Sequence, residues 1–349
     1  MSAARPLARF LRRLASAAVG LLPVALLDAG PATAATLDDI RARGYVLCGV
    51  SESKAGFSRV DERGVWSGLE IDFCGAVAAA AMGRRDAVKF RPLTESNRFQ
   101  ALKDGEIDVL ARATTWTLSR DTELGVRFVG TLFNDGQGFL VRKSQGMSSV
   151  LELSGASICV MVGTNAEQGL NDYFRSRGMR YQRVPADRWE DLLKIYADGG
   201  CMLLTGDMSM LAYERSRMAK PGDHMLLPEL ITKEPLGPAV RLGDDQWFGI
   251  VRWTLFALIA AEELALTREN VDDRKSSPLT DVRRFLGLDA NLGQAMGLDA
   301  EWAYRIVKQV GNYGEIYDRN VGAGTVLGLD RGDNDLWTDG GLMYAPPLR

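Results

Sequence analysis

The stretch Ala101-Leu102-Lys103-Asp104-Gly105-Glu106-Ile107-Asp108-Val109-Leu110-Ala111 decides the reading of the fold, because its hydrophobic period changes midway. Residues Asn97 to Asp104 read as a helix that Gly105 ends, in the left-handed conformation glycine adopts without strain. The apolar run Ile107 to Ala111 then reads as a buried strand. A shorter echo stands in Ile195-Tyr196-Ala197-Asp198-Gly199, followed by the run Cys201 to Leu204. Alone, the echo is the generic helix-glycine-strand pattern. If the two stretches are equivalent, Ala113 to Thr115 and Asp207 both lie just past the carboxyl ends of matching strands, where open α/β sheets bind ligands.

Outward from this stretch, strand-like and helix-period segments alternate. Tyr45 to Val50 reads as a strand, Glu70 to Met82 as a helix ended by Gly83, and Val88 to Arg91 as a strand. After a return stretch through Phe139 to Arg142 the order repeats. Ser157 to Val162 is a strand, Asn165 to Ser176 a helix followed by Gly178, Arg180 to Val184 a strand, Trp189 to Ala197 a helix and Met202 to Leu204 a strand. Two successive α/β units with largely parallel sheets follow from this order.

The chain has 349 residues, long enough for two domains, and its 42 basic against 45 acidic residues give a net charge of −3. Residues 1–34 stand apart. Arg5, Arg9, Arg12 and Arg13 precede a short apolar run to Leu27, and Ala32-Thr33-Ala34 supplies a cleavage sequence: the pattern of a secretory signal peptide. Without that segment's four arginines and Asp28 the net charge falls to −6, which with no basic patch argues against nucleic acid as a partner. His224 is the only histidine, so a two-histidine metal site does not exist. No cofactor or metal is expected; Asp330 to Asp335 lacks the spacing of a calcium loop.

Export gives the four cysteines an oxidising compartment. Cys48, Cys74, Cys159 and Cys201 allow three pairings or four buried thiols. We expect Cys48 with Cys74 and Cys159 with Cys201, because each pair joins elements of one unit.

Several polar residues suggest a ligand with two opposite charges. Arg120, after Thr114-Thr115-Trp116-Thr117, carries a planar guanidinium suited to a carboxylate. Gly163-Thr164-Asn165 opens a helix whose free N–H groups favour an anion, and Asp207 suits an ammonium group. Phe57 and Trp116 would wall a side chain. The same residue types also serve as helix caps, surface pairs and core, and pattern alone does not choose between these roles.

A wider set of runs resembles a known family. These are Cys48-Gly49-Val50, Ala55-Gly56-Phe57-Ser58, Asp72-Phe73-Cys74, Thr114-Thr115-Trp116-Thr117 with Ser119-Arg120-Asp121, and Asp135-Gly136-Gln137-Gly138-Phe139. Further on stand Lys233-Glu234-Pro235-Leu236-Gly237-Pro238, Gly243-Asp244-Asp245-Gln246-Trp247-Phe248, Gly311-Asn312-Tyr313-Gly314-Glu315 and Tyr344-Ala345-Pro346-Pro347. Together they resemble the periplasmic substrate-binding proteins of polar amino acid ABC importers, extracellular solute-binding protein family 3, over nearly the whole mature chain.

The resemblance implies an α/β, two-lobed periplasmic-binding-protein-like II fold, each lobe a mixed, mostly parallel sheet flanked by helices. Lobe 1 would combine 36–135 with 240–349, lobe 2 would be 136–239, and the hinges would lie near 136–139 and 235–239. It further implies a monomeric, non-enzymatic periplasmic protein that delivers an L-amino acid to an inner-membrane permease with its ATPase subunits. Arg120, Thr115 and the Thr164 N–H would bind the α-carboxylate, and Asp207 and the Ala113 carbonyl the α-ammonium. The chain departs from the pattern at Lys54, where an apolar residue is usual, at Ala113, where Asn is usual, at Gly206, Met208 and Met210 around Asp207, and at Glu167. Lys54 and Arg98, facing the cleft, would favour acidic or amide side chains. The alternatives are a cyclohexadienyl dehydratase of the same fold, with Glu52, Lys54 or Glu95 as general acid, and a module that presents the pocket to a signalling receptor.

Overall fold

A computed structural model describes residues 36–349; the expected signal peptide lies outside the described residues. The first sheet grows from Val46–Val50, whose residues Val46, Cys48 and Val50 are fully buried. Val88–Pro92 and Val109–Leu110 join it in parallel on either side, with Cys48 opposite both Phe90 and Val109. The antiparallel strand Ala239–Arg241 and then Val126–Phe128 complete five strands. The second sheet repeats the plan. Gln182–Ala186, Ser157–Met161 and Leu203–Asp207 lie parallel in that order, and the antiparallel Phe133–Arg142 follows. The sequence echo is therefore a structural correspondence. Val109–Leu110 and Leu203–Asp207 occupy the same place in their sheets, each after a left-handed glycine, Gly105 at φ +73° and Gly199 at φ +82°. The first of these strands is shorter than its apolar run, although Asp108 N–H to Leu47 O at 2.8 Å and Ala111 N–H to Gly49 O at 2.9 Å extend the pairing beyond it.

The helix Leu69–Met82 shows why its alanines are there. Leu69 through Ala81 are all buried, Glu70 and Asp72 in its first turn included, and the small side chains that follow let the helix pass between the first sheet and the helices Asp245–Glu263 and Trp302–Gln309. Gly83 ends it at φ +80°, its N–H bonded to the Ala79 carbonyl. No helix among the described residues is long and apolar enough to cross a membrane.

The chain leaves the first sheet after Phe128, enters the second at Phe133, and returns between Leu236 and Ala239. The crossing is an antiparallel ribbon in which Phe133 faces Leu236 and Gln137 faces Thr232. The expected crossing at 136–139 thus moves upstream, because Phe133–Arg142 is one continuous ten-residue strand and Gln137, Gly138 and Phe139 already pair with Asp207, Gly206 and Thr205. Glycine is required beside the ribbon, since a Cβ on Gly237 would lie 2.2 Å from the Gly130 carbonyl oxygen. The C-terminal region, for which the sequence suggested no role, braces this crossing. The Asn334 side chain accepts from Asn134 N–H at 2.6 Å and donates to Asn134 O at 3.0 Å, and the Tyr313 hydroxyl donates to Leu132 O at 2.9 Å. His224 sits on the edge strand His224–Leu226 with its Nδ1 2.8 Å from the Tyr196 hydroxyl, a structural role.

Both expected disulfides are present, Cys48–Cys74 and Cys159–Cys201, closing loops with sequence separations of 26 and 42. Each stays within one sheet and its covering elements. Chain-entropy arguments give about 3.5 and about 4 kcal/mol of stabilisation respectively. Replacing either pair by alanine should lower the urea-unfolding free energy by that order, and a change below about 1 kcal/mol for both would rule out their stapling role.

Candidate ligand cleft

The carboxyl ends of the parallel strands of both sheets open onto one cleft of about 830 Å³. From the first sheet come Ser51 to Lys54, beyond Val46–Val50, and Arg112 to Thr115, beyond Val109–Leu110. From the second come Thr164 to Ala166, at the start of the helix Asn165–Ser176, and Asp207, at the end of its strand. The ribbon contributes Glu234. This is the position open α/β sheets give to a ligand.

One wall is cationic. Arg120, on the short helix Leu118–Glu123, lines the cleft and donates from Nη1 to the Thr115 carbonyl at 2.8 Å. Burial pushes its pKa down, and the carboxylates of Glu234 and Asp207 oppose that shift. Arg98, at the start of the helix Arg98–Lys103, is only 6% exposed; its Nη1 is ion-paired with Glu95, and its Nε has no hydrogen-bond acceptor among the described residues. Its nearest anion is Glu95, which also accepts from Arg112 at 2.6 Å. Desolvation first, then the like charges of Arg120 and Arg112, push the Arg98 pKa down. A guanidinium stays charged regardless, so this corner is electrostatically under-neutralised.

The opposite wall is acidic. Asp207 precedes the helix Met208–Arg217 but its side chain does not cap it, which removes the plain structural role. Its Oδ2 lies 2.8 Å from Lys54 Nζ, in an ion pair that crosses from the first sheet's loop to the second sheet. Beside it Asp135, on the ribbon, accepts from Ser209 Oγ and from Gly136 N–H at 2.9 Å. Burial, and then repulsion by Asp207, drive the Asp135 pKa up to about 7, partly offset by Ser209 and Lys54.

The structure gathers most of the expected residues. Arg120, Thr115, Thr164, Asp207, Ala113, Phe57, Lys54 and Arg98 all line the cleft. Thr115 Oγ1 donates to Glu234 at 2.7 Å, and Ala113 sits at φ +41°, a strained value for a residue with a Cβ, with its N–H donating to Glu70. Thr164 precedes its helix without a side-chain cap, its hydroxyl turned back to the Met161 carbonyl at 2.8 Å. Trp116 is the exception. It follows Thr115 in extended backbone bridged to Leu236, so the two side chains point to opposite sides, and its ring stacks on Phe128 at 6.1 Å in the core. Lys54 faces the cleft as expected, but toward Asp207. Sequence reasoning missed Glu234, 3% exposed on the ribbon, and Asp135. Both stand among polar neighbours, Asn134 and Gln137 on one strand and Thr232 and Lys233 on the other, so no local signal set them apart.

The folded protein holds the Asp135 proton more tightly than the unfolded chain, whose ordinary value is 3.8. This contribution to stability is fully present below that value and is lost as pH rises to about 7. Unfolding curves of the wild type and Asp135→Asn should therefore converge or cross over this range, the wild type losing ground with rising pH. Parallel curves would show that Asp135 is ionised throughout.

The profile of bacterial extracellular solute-binding proteins, family 3, matches residues 46–270. The chain is 49% identical to the general L-amino acid-binding periplasmic protein AapJ of Rhizobium johnstonii, over 97% of this chain and 99% of that protein. It is 48% identical to the glutamate/glutamine/aspartate/asparagine-binding protein BztA of Rhodobacter capsulatus, over 96% and 99%. Among solved structures it is similar to an ABC transporter/periplasmic binding protein from Brucella ovis with glutathione bound. That match has a TM-score of 0.87 and 46% identity and covers 90% of this chain and all of that one. With its two sheets, paired crossing strands and intervening cleft, the chain belongs to family 3 of the bacterial extracellular solute-binding proteins.

Proposed function

We propose that this protein is the periplasmic binding component of an amino acid ABC importer and takes a free L-amino acid into the cleft for delivery to a membrane permease. The observation that carries the reading is the opposition of Arg120 and Asp207, contributed by different sheets to one cleft. A zwitterion is complementary to that pair: its carboxylate would bind Arg120, Thr115 and the Thr164 N–H, and its ammonium Asp207 and the Ala113 carbonyl. Excluding water around such contacts strengthens each of them. The names of AapJ and BztA support the same chemistry. Arg98, buried in the cleft wall with its Nε short of an acceptor, favours ligands with an acidic or amide side chain. A cleft of about 830 Å³ also leaves room beyond a single amino acid, in keeping with the glutathione of the Brucella ovis relative.

Closure would turn the two lobes about the ribbon, with the lobe boundary at the sheet switch, 129–132 and 237–238. Ligand would shift an open-closed equilibrium by its preference for the closed form. The dehydratase alternative has less support. Glu95 is ion-paired with Arg98 and Arg112 and Lys54 with Asp207, which leaves Glu52, of the three candidate general acids, as the one in the cleft outside an ion pair among the described residues.

Thermal unfolding of refolded protein against each common L-amino acid tests this function, since ligand at a hundred times its Kd adds about 2.7 kcal/mol. Midpoint shifts are expected with one or more amino acids. Arg120→Ala should abolish them, weakening binding by about 2 to 5 kcal/mol while the unliganded midpoint changes little. Unchanged affinity in that variant would overturn the site assignment.

A further inference from the structure

Lys54 stands in the cleft as a cation where an amino-acid ligand would bring its own. Its ammonium lies 2.8 Å from Asp207 Oδ2, the carboxylate assigned above to the ligand's ammonium. Both side chains are largely withdrawn from solvent, at 16% and 22% exposure. Lys54 is held in place as well as attracted. It ends the two-residue strand Ser53–Lys54, paired with Ser58–Val60, and its Nζ lies 5.2 Å from the centre of the buried Phe57 ring. Asp207 in turn has Asp135 beside it, and Lys54 faces both carboxyl groups.

We propose that Lys54 is a specificity-determining residue. It acts as a tethered substitute for the ligand's ammonium at Asp207, and it lets the cleft accept 2-oxo acids as well as amino acids. The inference rests on the amino-acid reading of the cleft given above. A site built to pair a ligand N–H normally rejects the analogue lacking it, because its own buried polar groups are then left unpaired. Here Lys54 removes the larger part of that penalty, the one at Asp207, and leaves only the Ala113 carbonyl without its donor. When a 2-oxo acid places its carboxylate on Arg120, Lys54 still neutralises Asp207. An amino acid, by contrast, brings a second ammonium that must displace Lys54 or share Asp207 with it. The same residue therefore weakens the binding of amino acids and spares their deaminated counterparts, which narrows the preference between them.

The test is calorimetric affinity for three matched pairs, L-glutamate with 2-oxoglutarate, L-alanine with pyruvate and L-leucine with 4-methyl-2-oxopentanoate. Wild type, Lys54→Met, Lys54→Gln and Arg120→Ala are compared, each checked for folding by its thermal midpoint. For at least one pair the wild type should bind both members within about tenfold of each other. Both Lys54 variants should widen that ratio at least tenfold in favour of the amino acid, by tightening it, by losing the 2-oxo acid, or both. An unchanged ratio, or a wild type that binds amino acids and rejects every 2-oxo acid, overturns the proposal while leaving the amino-acid reading intact. Failure of the wild type to bind any of the six, or full binding by Arg120→Ala, removes the reading of the cleft itself and the proposal with it.

Discussion

Antiparallel pairing of Phe133–Gln137 with Thr232–Leu236 is the constraint on which the other features of this molecule depend. Two strands running in opposite directions are the only covalent links between the sheets among the described residues, and each continues into the sheet on its far side. The second sheet gains Phe133–Arg142 as its antiparallel member, and the first gains Ala239–Arg241. Because both sheets end their parallel strands toward this ribbon, their ligand-binding edges face each other. The ribbon also adds Glu234 to the cleft, sets Asp135 beside Asp207, and holds the Thr115 segment through the bridge to Leu236.

Within that frame the cleft is a problem in charge balance. Burial disfavours Arg98, Arg112 and Arg120 as cations and Asp135 and Glu70 as anions. Some of this is compensated internally: Glu95 serves Arg98 and Arg112, and Ser58 and the Ala113 N–H serve Glu70. What is left over is an anion-seeking corner around Arg98 and Arg120, facing an acidic wall at Asp207 and Asp135. Isolated buried charges are costly, so such a distribution persists where a ligand or a mobile side chain completes it.

Local signals were legible where one residue type has one physical use. Gly83 and Gly105 end their helices as read, and the helices Asn165–Ser176 and Trp189–Ala197 fall where their period placed them. The strand read at Arg180 to Val184 lies two residues later, at Gln182–Ala186, a shift that preserves which side chains face the core. Arg120 and Asp207 were legible because each follows a strand end. Trp116 was not, since nothing local tells which side of an extended segment meets the cleft. The partner of Lys54 was equally hidden, because Asp207 lies 153 residues away and the contact exists only once both sheets are in place. Glu234 and Asp135 were hidden because each stands among other polar residues of the crossing strands, and nothing local sets it apart from them.

The brace on the ribbon has a consequence for how the protein comes into being. Asn134 finds its side-chain partner in Asn334, 200 residues further on, and the first sheet waits for Ala239–Arg241 before its order is complete. A chain made from its amino end therefore carries its first strands for most of its synthesis without the partners that close them. Contacts of such long range also slow the search for the native topology. The brace on the ribbon, and with it the finished crossing, therefore forms only once the far end of the chain is present.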